Sequence, residues 1–164
     1  MNEAPSIAIA PSAAATADAA HWQAVVDASA ALFAELRDGA RMGLVARGDF
    51  APQGRRLAGF EAAVVKHAGV AMLAFDAANG RIEVSVERFE SYDRARLDLL
   101  FVADEEARAE LAATTPAGTL GVLKRLIRRG NVMFFVFRTR GELQDAGYED
   151  FLESLGLAFL GACR

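Results

Sequence analysis

The chain of 164 residues is poor in the residue types that build small stapled or metal-bound modules: it has one cysteine, Cys163, and two histidines, His21 and His67. A lone cysteine makes no internal disulfide, and so few Cys and His residues exclude a disulfide scaffold and a Cys/His zinc module. Proline is scarce, with four residues, and lysine scarcer, since 16 of the 18 basic residues are arginine. No apolar run approaches the ~18 residues of a membrane span; the longest, 132–137, has the size of a strand, so no membrane function is expected. The first 18 residues are rich in Ala, Pro and Ser, carry Glu3 and no Lys or Arg, and lack the basic start and the longer apolar stretch of a secretory signal. They read as a disordered tail, 1–18, ahead of a single domain, 19–164, in a cytoplasmic protein. What the sequence has in quantity is apolar residues, 53%, with 11 Phe, enough to fill a core.

Periodicity orders that core. Asp18 is placed to cap an amphipathic helix with Trp22, Val25, Val26, Leu32, Phe33 and Leu36 on one stripe, ending at Gly39. A short strand at 42–46 and a turn at Arg47-Gly48-Asp49 follow. A helix opened by Pro52 and stopped by Gly69 turns Leu57, Phe60 and Val64 inward. A hairpin joins 70–75 to 81–89, where Ile82, Val84 and Val86 alternate with Glu83, Ser85 and Glu87. A strand at 97–103 precedes a helix capped by Asp104 and a second helix opened by Thr115-Pro116 and closed by Gly130. Residues 132–137, apolar on both faces, read as a central strand. Residues 142–155 read as helix with a break at Gly147, and 157–160 as a last strand reached by a parallel crossover. The expected fold is α+β: a single domain with a mixed, mostly antiparallel sheet of about five or six strands and helices packed on it, preceded by the long amphipathic helix.

From residue 52 onward, the order helix, meander, helix, strand resembles the core of restriction-endonuclease-like nucleases. That resemblance implies acids on neighbouring strands holding a divalent metal; Asp76, Glu83 and Glu87 occupy comparable places, while Ser85 and Phe89 stand where the lysine is expected. It covers topology, not the full motif.

The net charge of −4 hides a segregation: −1 over 1–82, −5 over 83–110, +6 over 111–141 and −4 over 142–164. In the basic block Lys124, Arg125, Arg128 and Arg129 share one arc of a helix, with Arg138 and Arg140 after the next strand. These six are candidates for an anionic ligand or an acidic partner, because clustered guanidinium groups suit phosphate and carboxylate; a solvated face paired with neighbouring acids is the plainer reading. The acidic total argues against nucleic acid. The stripe of Trp22, Val25, Phe33 and Leu36 must be covered by the chain's own sheet or by a second copy, which makes it the candidate self-association surface. His67, Cys163, Tyr92 and the Gly118/Gly121 pair sit in no recognisable catalytic or phosphate-binding pattern. The reading that follows is a binding or adaptor domain, self-associating and with a protein or homo-oligomeric partner, with no cofactor and no evident catalytic chemistry. The alternatives are an anion- or nucleic-acid-binding protein and a degenerate metal nuclease.

Overall fold

A computed structural model describes residues 13–49, 70–89 and 95–157. The chain runs α1 (Ala13–Ala28), a 3-10 turn (Ala30–Phe33), β1 (Arg41–Ala46), a second 3-10 turn (Arg47–Asp49), β2 (Val70–Ala78) and β3 (Arg81–Phe89). It continues through β4 (Leu99–Ala103), α2 (Glu105–Ala113), α3 (Pro116–Arg129), β5 (Val132–Val136), α4 (Arg140–Ala146) and α5 (Glu149–Ser154). The sheet is five-stranded in the order β3-β2-β1-β4-β5. The β1–β4 pair is parallel and the other three are antiparallel. This is the single α+β domain with a mixed, mostly antiparallel sheet that the sequence led us to expect.

Several local expectations change. Helix α1 is already under way at Ala13, so Asp18 lies inside it rather than capping it, and it stops at Ala28, where the chain tightens into the 3-10 turn instead of running on to Gly39. The parallel pair is β1–β4, formed when the chain leaves β1, makes the β2–β3 hairpin and returns. Strand β5, expected to be central, ends the described sheet with Val136 44% exposed; the covered position belongs to β4, buried at every residue. The hairpin turn is the two-residue Asn79-Gly80, with φ of 54° and 72°. Both central residues take positive φ in the turn that matches strand twist, which Asn-Gly adopts at least cost. The helix expected after Pro52 and the strand expected at 157–160 lie outside the described residues, apart from Leu157.

One sheet face carries the larger core. Met42 and Leu44 of β1, Phe75 of β2, Ile82 of β3, and Leu99 and Phe101 of β4 meet Trp22, Val25 and Val26 of α1, Phe33, Leu123 and Leu126 of α3, and Phe151 and Leu152 of α5. Aromatic edges organise the layer: Trp22 meets Phe75 at 5.6 Å and 89°, and Phe33 meets Phe151 at 5.0 Å, the separations at which ring quadrupoles attract. Gln23 fastens α1 to the end strand, its Nε2 donating to the Ile82 carbonyl and its Oε1 accepting from the Val84 amide, both at 2.9 Å. These bonds satisfy backbone groups on β3 that would otherwise be open to another strand.

The opposite face is also apolar, with Val45, Met72, Ala74, Leu100 and Val102 buried. Gly43 sits in its middle, where a Cβ would come within 2.7 Å of Met72 Sδ.

Candidate ligand-binding site

Under α1, on the side of the sheet that carries the larger core, two hollows share a wall. The inner one, about 20 Å³, is lined by Trp22, Val26, Phe33, Met42, Leu44, Phe75, Phe101, Leu123 and Phe151, every one of them apolar. The outer one, about 70 Å³, lies toward the end of the sheet where the parallel strands β1 and β4 finish. It is bounded by Trp22, Leu44, Leu73, Val86 and Leu111, with Asp18 and Arg108 as its charged groups. Trp22 and Leu44 line both. Leu44, Leu73 and Val86 are cross-strand partners on three neighbouring strands, so the floor is a continuous strip of the sheet. Interiors pack to crystal-like density with few voids as large as a water molecule, so two adjoining hollows are a departure that needs a cause.

The charged rim is built from two helices. Asp18 stands on α1 and Arg108 on α2, and Arg108 Nη2 donates to Asp18 Oδ2 at 3.4 Å. Arg108 Nη1 is 3.8 Å from Glu105 Oε2, one helical turn back on α2 and 91% exposed. The pair therefore spans the mouth of the outer hollow with a single long hydrogen bond.

A second polar assembly ties the other end of the sheet. Asp98, 8% exposed, accepts from Tyr148 Oη at 2.8 Å, Arg138 Nε at 2.9 Å and the Arg41 amide at 2.9 Å. The carboxylate thus joins the starts of β1 and β4, the end of β5 and the junction of α4 and α5. Burial, and secondarily the adjacent Asp98 charge and the hydrogen bond to it, push the Tyr148 phenol well above its ordinary value. The hydrogen bond from Arg138 to Asp98 raises the guanidinium further still. With both oxygens filled by protein donors, this network serves as a structural tie. The sequence signal for Asp98 was available: an acid beside a continuous apolar strand is buried and needs partners. Tyr148 is itself fully buried.

The six basic candidates do not converge on one place. Arg125 pairs with Glu110 of α2. Lys124 and Arg128 lie beside Gly156, just past α5, where a Cβ would meet Lys124 Cε at 3.2 Å and Arg128 Nη2 at 3.4 Å; cations there complement the carbonyl end of a helix. Arg129 is exposed, Arg138 is on Asp98, and Arg140 opens α4. Trp22, Val25, Phe33 and Leu36, the candidate self-association stripe, are 7%, 0%, 3% and 5% exposed, covered by the chain's own sheet and helices. The wall position of Trp22 was not legible from that stripe.

Of the acids on the hairpin, Asp76 and Glu87 are drawn to an arginine: Arg41 Nε is 3.4 Å from Asp76 Oδ1, and Arg41 Nη2 pairs with Glu87, while Glu83 is the cross-strand partner of Asp76. Burial raises the Asp76 carboxyl, Arg41 opposes this, and Glu87 and Glu83 add to the rise. Among the described residues no group of three or more His, Cys, Asp or Glu side chains is placed to hold a metal ion; where the nuclease resemblance implied a divalent metal, the cation beside Asp76 and Glu87 is the Arg41 guanidinium. No helix among the described residues is long and apolar enough to cross a membrane.

No protein-family model and no curated protein matches this chain. Among solved structures, a conserved hypothetical protein of Thermus thermophilus, described as possibly a sterol carrier protein, is similar at 17% identity and a TM-score of 0.41. That alignment covers 90% of this chain and 85% of the other. Likeness at that level carries neither ligand nor activity to this chain.

Proposed function

We propose that this is a binding protein which takes a small, predominantly apolar molecule into the layer between α1 and the sheet. The observation that carries the reading is the pair of hollows on one continuous floor, divided by Trp22, the inner one lined wholly by apolar side chains. An apolar void offers water no partners and so stays dry, and such a void accepts apolar guests. The inner hollow has room for about one water-sized group, so a guest of any length enters both hollows by displacing the indole and burying its own chain in exchange. The flexible Met42 and the 3-10 turn at Ala30–Phe33, bordering the hollow through Phe33, are the parts that can adjust. Among the described residues, Asp18 and Arg108 are the only titratable side chains lining the two hollows, and they are paired with each other. That is a lining suited to holding a molecule rather than transforming it.

The probe is 1-octanol. Trp22 is the single tryptophan, so its emission reports occupancy directly, and binding to the folded state raises the thermal midpoint. At ten times Kd the stabilisation is about 1.4 kcal/mol, worth roughly 3–6 °C for a domain of this size. Leu44→Phe, filling the wall common to both hollows, removes the response; Val26→Leu, a smaller filling of the inner hollow alone, weakens it. Absence of both the emission change and the midpoint shift in the unaltered protein, up to the solubility limit of octanol, refutes the reading.

A further inference from the structure

We infer that the molecule taken into this layer is an anionic amphiphile whose carboxylate is held by Arg108, in exchange for Asp18. This rests on the preceding reading of the hollows as a binding site and adds the chemical class of the ligand. A guanidinium carries five N–H donors in a planar fork that matches a carboxylate with two parallel bonds. At the mouth of the outer hollow Arg108 makes one hydrogen bond, to Asp18, at the long distance of 3.4 Å, and its approach to Glu105 at 3.8 Å is not a hydrogen bond. Most of its donors are therefore without an acceptor among the described side chains. Arg108 lines the outer hollow together with Trp22 and Leu44, which also line the wholly apolar one. A carboxylate on Arg108 thus points its attached chain along the strip Val86–Leu73–Leu44 toward Trp22.

The exchange also couples entry to opening. Asp18 is on α1 and Arg108 on α2, so their ion pair bridges the two helices across the hollow. A ligand carboxylate that takes the guanidinium releases Asp18 and frees α1 from that contact at the moment the chain has to pass beneath it. A neutral head group has no means to make this exchange, and a cationic one is repelled by Arg108.

The test compares three eight-carbon probes at pH 7.5, all below their micellar concentrations: octanoate, 1-octanol and octylammonium, titrated against the full chain by Trp22 emission. Octanoate is expected to bind about fivefold tighter than octanol, the upper end of a partly exposed ion pair, and its advantage falls as salt rises. Arg108→Gln removes the preference, so that octanoate and octanol bind this variant with equal affinity. Asp18→Asn strengthens octanoate binding by removing the competing acceptor. Equal binding of octanol and octanoate, or tighter binding of octylammonium, overturns the assignment of the anionic head group while leaving apolar binding intact, as does an Arg108→Gln variant that keeps the octanoate preference. Failure of all three probes overturns the underlying reading as well. Arg108 is 43% exposed and Asp18 33%, so both substitutions leave the core in place, which the thermal midpoint of each variant checks.

Discussion

Replacing Gly147 with alanine tests how the helical end of the molecule is docked. Gly147 ends α4 with φ of +86°, and a Cβ built there would lie 1.9 Å from the Glu35 carbonyl oxygen and 2.5 Å from its carbon. Backbone atoms cannot swing aside as a side chain can, so α4 must retreat from residues 35–37. Retreat breaks the bond from the Arg37 amide to the Ala146 carbonyl, now 3.0 Å long. The left-handed conformation costs a residue with a Cβ about 1–2 kcal/mol, and the lost hydrogen bond about 1 kcal/mol. Loosened contact around Leu36 and Leu143, which are 5% and 4% exposed, adds to this, for a total of about 3–4 kcal/mol. Gly130 supplies the control, because it ends α3 with φ of +83° and has nothing within 4 Å of its would-be Cβ. Gly130→Ala therefore carries the conformational cost alone, about 1–2 kcal/mol. Urea unfolding followed by circular dichroism separates the two: with a slope of about 2 kcal/mol per molar, Gly147→Ala lowers the midpoint by about 1.5–2 M and Gly130→Ala by about 0.5–1 M. Equal midpoint shifts for the two variants would refute the claim that close backbone approach, and not the turn alone, requires glycine at 147.

Tyr148→Phe removes one of three bonds to the buried Asp98 and is expected to cost about 1–2 kcal/mol at neutral pH. Because burial and Asp98 raise the Tyr148 phenol, the folded state keeps its proton after the unfolded chain has lost its own. That part of the stability is complete below the ordinary phenol value of about 10 and declines as pH rises above it. Stability measured from pH 9 to 11.5 should fall more steeply in the unaltered protein than in Tyr148→Phe, and parallel curves would count against the buried phenol. Thr139→Ala should cost about 1 kcal/mol, because the Thr139 hydroxyl accepts from the Glu142 amide at 3.2 Å while Glu142 Oε2 accepts from the Thr139 amide at 2.7 Å. That reciprocal cap holds the Glu142 carboxyl below its ordinary value; an unchanged urea midpoint would show that α4 does not depend on it.

The alternation of Ile82, Val84 and Val86, the Asp104 cap, the Thr115-Pro116 helix start and the glycines at 130 and 147 are local devices, each legible within a few residues. Together they determined most elements, their order and an α+β domain. Where local signals compete the reading erred. The stripe from Trp22 to Leu36 is interrupted only at Ser29, and it is there that the chain tightens, because Phe33 has to meet Phe151 and Leu36 has to reach the backbone beside Gly147. The apolar run at 132–137 specifies burial but not neighbours, and strand order is set by which chain segments return to pair.

The candidate site was hidden for the same reason. Asp18 and Arg108 are 90 positions apart, and no spacing marks them. The basic residues at 124–140 form a conspicuous block in sequence, but tertiary structure sends Arg125 to Glu110, Arg138 to Asp98, and Lys124 and Arg128 to the end of α5. The sequence by itself determined how much of the chain must be buried and which short stretches are helix, strand or turn, since those follow from side-chain period and backbone preference. Which charges are spent on one another, and that Trp22 stands between two hollows, only tertiary structure decided, because ion pairing and cavity walls arise from contacts between segments far apart along the chain.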